Sequence, residues 1–201
     1  MPLDVSNPPI AAYEAVQSVV SDLAGKSGFR TPALRRAAPG GLALSTPHRI
    51  ALLRLDRVRE TSDLRRSTEI RGWRFLIHDG DRVIASTDAV LNQKGGFDFG
   101  QINEGPFNGS MEQAIRKAEA LPAVQQAHFE PVVLLVPALY IVALWLHAAD
   151  GENDLVVPLP PAPGEFRPLE PLAAKDFLSA TKRLAERVPP ESGRSDDSSG
   201  G

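Results

Sequence analysis

The chain has 201 residues and a formal net charge of −3, with a pI near 5.8; this balance gives no global attraction to nucleic acid or to an anionic membrane. It contains no cysteine, which excludes disulfides, thiol nucleophiles and cysteine-based zinc sites. The length suits one ordinary domain with appendages: an N-terminal helix and an Arg/Pro/Gly-rich connector over 1–46, a single α+β domain over 47–188 and a disordered tail over 189–201.

The first residues have no basic segment followed by an apolar one, so no signal peptide is expected. Asn7 is placed to cap a helix over 8–24 whose first positions are Pro8 and Pro9, where a missing N–H costs nothing. Ile10, Tyr13, Val16, Val19, Val20 and Leu23 recur every three or four residues, and Gly25 closes the helix. Residues 26–46 read as a connector; its Arg30, Arg35 and Arg36 are too few to build a nucleic-acid surface. A first strand is expected over 48–58, followed by a charged turn region over 59–67.

The clearest local signal is Asp79-Gly80, which lies between two strand-like runs and suits a type I′ hairpin loop. His78, Asp79 and Asp81 are read as solubilising residues at its tip. Residues 94–110 hold five glycines and three phenylalanines. Phe97-Asp98-Phe99 fits a short strand, and Ser110 with Gln113 forms a capping box for a helix over 111–121. A glycine-rich loop that enters a helix N-terminus can hold an anionic or polar ligand. The candidate ligand-binding residues are therefore Asp98, Asn103, Glu104, Asn108 and Ser110, with His128 as a further polar neighbour. No Walker or GxGxxG pattern accompanies them.

Pro122 ends that helix, and 123–130 leads as a strand into the run PVVLLVPALYIVALWLHAA at 131–149, which has no Asp, Glu, Lys or Arg. Its length would allow a membrane span. Pro137, however, divides it into two strand-length pieces, and its flanks, Glu130 on one side and Asp150, Glu152 and Asp154 on the other, are acidic rather than basic. Two buried strands are expected. The second is apolar on both faces, with Leu139, Ile141, Ala143 and Trp145 on one and Tyr140, Val142, Leu144 and Leu146 on the other. A small domain has difficulty covering both faces, which makes Leu139, Tyr140 and Trp145 the candidate protein-binding residues. His147 reads as a strand-end residue.

Asp150, Glu152 and Asp154 alternate like calcium-loop ligands, but Leu155 and Pro161 stand where such a loop needs glycine and an acid, so a solvated hairpin loop is expected instead. A last strand at 155–159, a proline-rich spacer at 158–171 and a helix over 172–188 complete the chain. The resulting expectation is an α+β fold with a largely antiparallel five- or six-stranded sheet and flanking helices. No catalytic residue, metal ligand or cofactor motif is identified. The expected function is a non-catalytic, protein-binding or regulatory adaptor-like role. Partners are a second protein or a second copy, with no nucleic acid and no membrane span. The alternative is a small-molecule-binding protein or small enzyme that uses loop 95–110. Strong preference for Arg over Lys, with frequent Ala, Gly and Pro, suggests a bacterial, cytoplasmic protein.

Overall fold

The computed structural model describes residues 3–26, 28–37, 40–60 and 62–189, with backbone alone at 46. The expected tail therefore lies, from residue 190 onward, outside the described residues. In chain order the elements are α1 (Ile10–Gly25), α2 (Pro32–Arg36), β1 (Leu42–Leu53), α3 (Leu55–Glu60), α4 (Leu64–Ser67), β2 (Thr68–Asp79), β3 (Arg82–Leu91) and β4 (Phe97–Asn103). They continue with α5 (Pro106–Glu119), α6 (Pro122–Gln126), β5 (Phe129–Val136), β6 (Ile141–Ala148), β7 (Leu155–Pro158), β8 (Leu172–Ala173) and α7 (Ala174–Glu186).

All eight strands join one sheet in the order β4-β3-β2-β1-β5-β6-β7-β8. A single-residue parallel bridge from Leu3 to Phe129 adds a ninth segment to the sheet. The sheet is mixed, because β1 and β5 run parallel through Arg49–Val132, Ile50–Val133, Ala51–Leu134 and Leu52–Leu135. This corrects the expectation of a five- or six-stranded, largely antiparallel α+β sheet. Local hairpin signals foretell only antiparallel neighbours, whereas a parallel pair forms between segments far apart in sequence.

The uncharged run folds as the hairpin β5–β6, paired from Phe129–Ala148 to Val136–Ile141 and broken at Pro137 by a short 3₁₀ turn. Among the described residues no helix is long and apolar enough to cross a membrane. Residues opposite one another across strands share a face, so the register sorts the core into two layers. On the front face Ala51, Leu53, Val132, Leu134, Ile141, Ala143 and Trp145 pack against Phe177 and Leu178 of α7 and Val58 of α3. Farther along the same face, Ala12 and Val16 of α1 cover Trp73, Phe75 and Ala89. On the back, Met111, Ala114 and Ala118 of α5 and Val124 of α6 cover Val133, Leu144, Leu146 and Val157. Each large side chain so buried contributes about 1.5–3 kcal/mol.

Several boundaries depart from the sequence expectation. The expected strand at 48–58 is β1, already under way at Leu42, followed by α3; the expected charged turn holds the rest of α3 and α4. Helix α1 begins at Ile10 with Pro9 as its N-cap, without a bond from Asn7. Helix α5 begins at Pro106, so Ser110 is not an N-cap: its hydroxyl donates to the Pro106 carbonyl at 2.9 Å, one turn back inside the helix. Proline is pre-organised for a first helical position, and it wins over the Ser110–Gln113 box. Residues 122–126 form α6 rather than a strand, and 172–173 form β8 rather than helix. In the β2–β3 hairpin Asp79 pairs with Arg82, so the two-residue loop is Gly80-Asp81, one residue later than expected. Gly80 alone takes a positive φ there, +57°. Gly72 (φ +150°) is required at its position, since a Cβ would lie 1.9 Å from the Ala89 carbonyl oxygen.

The back face also buries polar groups. His48 on β1, Arg74 on β2 and Asp88 on β3 are opposite one another, and Arg74 forks onto Asp88 with bonds of 2.7 and 2.8 Å. Gln101 on β4 adds a bond of 2.9 Å to the same carboxylate. His48 is 1% exposed, and neither ring nitrogen has a hydrogen-bond partner. Burial, reinforced by the neighbouring Arg74 charge, lowers its pKa from the usual 6.5 to about 4. In the unfolded chain the imidazole takes up its proton near pH 6.5, before the folded protein does. Stability is therefore unaffected above pH 6.5 and falls with pH down to about 4, by about 3 kcal/mol. Denaturant unfolding across this range is expected to show that loss, and His48→Leu is expected to flatten it; an unchanged slope in the variant would place the acid sensitivity elsewhere.

Candidate functional site

Most of the polar residues of loop 95–110 are engaged within the chain. Asp98, near the start of β4, is exposed and accepts from Asn92 Nδ2 at 3.0 Å. Glu104, just past the other end of β4, caps α2: its carboxylate accepts from the backbone N–H groups of Ala33 (3.1 Å) and Leu34 (2.6 Å). Burial opposes ionisation of Glu104, but hydrogen bonds from the Thr31 side chain and these two N–H groups hold its pKa below the usual value. Asp98 and Glu104 are thus separated by the length of a strand, about 20 Å at the usual rise.

Asn108 is buried and donates from Nδ2 to the carbonyl of Asn103 at 2.9 Å, while the Asn103 side chain faces water. Ser110 is buried and shared between the carbonyls of Pro106 and Pro160. His128 is exposed and sits 3.0 Å from Asp4. The structure therefore does not bring these residues together around one cavity; it spends most of them on joining β4, α2 and α5.

The three candidates on the central hairpin divide differently. Leu139 is 8% exposed and Trp145 is 2% exposed, whereas Tyr140 is 87% exposed. Tyr140 closes the 3₁₀ turn in the left-handed region, with φ 53° and ψ 34° and its N–H bonded to the Pro137 carbonyl at 3.0 Å. Such a backbone is costly for a bulky L-residue. Leu139 and the two buried strands hold it from beneath. Beside the tip runs a groove of about 480 Å³, lined by Leu52, Leu55, Pro137 and Ala138 together with the charged Arg54, Asp56 and Arg59.

At the opposite end of β6 lies a charged row that the sequence did not disclose. Arg49, Glu130, His147 and Asp154 occupy successive strands β1 and β5 to the β6–β7 loop on the front face. Arg49 forks onto Glu130, which also accepts from the Ser6 hydroxyl at 2.6 Å. Asp154 is read from its sequence as part of a solvated loop, yet it is buried. Its carboxylate accepts from Arg65 through two bonds, from Trp145 Nε1 at 2.9 Å and from the Ala148 N–H at 2.8 Å.

His147 stands between the two ion pairs, 3.9 Å from Asp154 and in edge-on contact with Trp145. Burial, then the Arg65 charge, lowers its pKa, with Asp154 opposing. Both carboxylates beside it are occupied by arginines, so neither is poised as a base or metal ligand. Among the described residues no group of three or more His, Asp or Glu side chains is arranged to hold a metal ion.

This row is a brace: Asp154 ties α4 to the β6–β7 hairpin. The Asp154→Asn variant leaves Arg65 without its counter-charge and is expected to lose about 3–5 kcal/mol of stability. Denaturation followed by tryptophan fluorescence in a Trp73→Phe background measures the loss, because the Trp145 indole N–H donates to the same carboxylate. A change below about 1 kcal/mol would class the pair with ordinary surface pairs.

No protein-family model, no curated protein and no solved structure matches this chain.

Proposed function

We propose that the chain is a non-catalytic protein-binding module that docks its partner through the tip of the β5–β6 hairpin. The observation that carries this reading is Tyr140, held 87% exposed in a left-handed backbone. Strained, exposed residues on a rigid base are found where function maintains them. Tyrosine supplies a large apolar face with a polar end at small cost in side-chain entropy, which is why it recurs at binding hot spots. The adjoining groove, with Leu52, Leu55, Pro137 and Ala138 among its lining, would receive an apolar side chain of the partner. Leu139, buried immediately before Tyr140, anchors the tip; Trp145 is buried toward the other end of β6, where it donates to Asp154.

The composition favours a bacterial cytoplasmic setting, and the partner is a second protein or a second copy of the chain. Affinity capture from a bacterial host, run with the wild type and with Tyr140→Ala, tests the reading alongside light scattering of each. A stoichiometric partner, or a dimer, should form with the wild type and weaken by about 2 kcal/mol, roughly thirtyfold, in the variant. Tyr140→Gly should lose binding equally while stability is unchanged or about 1 kcal/mol higher, because glycine accepts the positive φ freely. Monomers that retain no protein, or identical binding by all three chains, would defeat the proposal.

A further inference from the structure

A second surface, independent of the hairpin tip, lies where the β6–β7 loop meets the start of α7. A cleft of about 610 Å³ opens between α6, the first residue of β5, the loop and residues 173–175. Its size falls in the range of small-molecule sites. Ala123, Phe129 and Leu155 give it an apolar wall. A second cavity of about 390 Å³ adjoins it on the α4 side, and Glu152, Asp154, Ala174 and Lys175 border both.

The charges around the cleft are not equally available. Asp150 is consumed by its own loop, accepting from the N–H groups of Glu152 (2.9 Å) and Asn153 (3.1 Å) and from Asn153 Nδ2 (2.7 Å). Asp154 is saturated by Arg65, Trp145 and Ala148. Glu152 and Lys175 remain. Both are exposed, and among the described residues neither side chain makes an ion pair or a hydrogen bond, with each other or with any other group. The brace fixes the backbone on which Glu152 stands, and residue 174 is pinned by its N–H to the Asp154 carbonyl at 3.0 Å. One free carboxylate and one free ammonium are therefore presented on a common sill above an apolar wall.

We propose that this cleft binds a small zwitterion with an apolar body: an aliphatic or aromatic α-amino acid, or a dipeptide with both termini free. The ligand's ammonium pairs with Glu152, its carboxylate with Lys175, and its side chain lies against Phe129 and Leu155. A ligand with one charge alone would make only one of the two ion pairs, so the site favours free termini over blocked ones and over simple cations and anions.

The test is an NMR titration of the full chain with leucine, phenylalanine and Leu-Leu, against Nα-acetyl-leucine amide as the uncharged control. Saturable shifts confined to residues 123–129, 150–155 and 173–175 are expected for the zwitterions and not for the control. Glu152→Gln and Lys175→Gln should each weaken binding by about tenfold or more. Both residues are exposed, and thermal melting verifies that the variants fold. Absence of saturable shifts with every zwitterion, equal binding of the blocked control, or unaltered binding in both variants would overturn the assignment. The hairpin-tip reading is untouched by any of these outcomes.

Discussion

The fold depends on a four-residue parallel seam. β1 and β5 each open an antiparallel meander, β1 to β4 on one side and β5 to β8 on the other. Either meander alone would expose the edge of its most apolar strand. β5 is buried on both faces at Val132, Val133 and Leu134, and β1 is buried at Ile50, Ala51 and Leu53. Pairing the two hides both edges at once. The connection this requires is long, since it contains α3, α4, β2, β3, β4, α5 and α6, but the entropy of closing a loop grows only logarithmically with length. The Arg49–Glu130 fork spans the seam at one end, and Ser6 anchors the N-terminal segment to the same carboxylate.

Charge is used elsewhere to fix register. Arg74 and Asp88 are directly opposite on β2 and β3, and both are buried. A slip of the two strands would leave two unpaired charges beneath α5, which costs far more than any apolar mismatch. The Arg65–Asp154 pair plays the same part between α4 and the β6–β7 hairpin, with Trp145 recruited as a further donor. These are positioning devices within a sheet whose buried residues are mostly apolar.

What was legible in the sequence was local. Pro137 marked the break in the uncharged run, the two-faced apolarity of 139–146 marked a central strand, and the three-and-four spacing of Val16 and Val20 marked the buried side of α1. What was not legible depended on distant partners. Nothing near Arg49 announces Val132, so the parallel seam, and with it the strand number, had no signature. Asp154 sits in a stretch, Asp150-Gly-Glu-Asn-Asp154, whose composition is that of a solvated turn; only Arg65, 89 residues away, makes it a buried brace. Glu104 reads as a ligand residue from its place in a glycine-rich loop, and its carboxylate instead caps a helix formed 70 residues earlier. Loop chemistry and structural chemistry use the same residue types, and spacing along the chain does not separate them.

The two proposed surfaces lie at opposite ends of β6. Tyr140 precedes its first residue, and the loop that carries Glu152 follows its last. Eight residues of strand separate them, about 26 Å, so occupants of the two would not touch. Any influence of one on the other has to pass through β6, whose central residues are packed on both faces by α5 and α7. Close-packed strands of this kind transmit little displacement, and coupling requires an element with two discrete arrangements. Nothing in the packing of Ala143, Leu144, Trp145 and Leu146, all at most 2% exposed, offers a second arrangement. The hairpin is therefore a rigid spacer, and the two proposed sites would act independently on one scaffold.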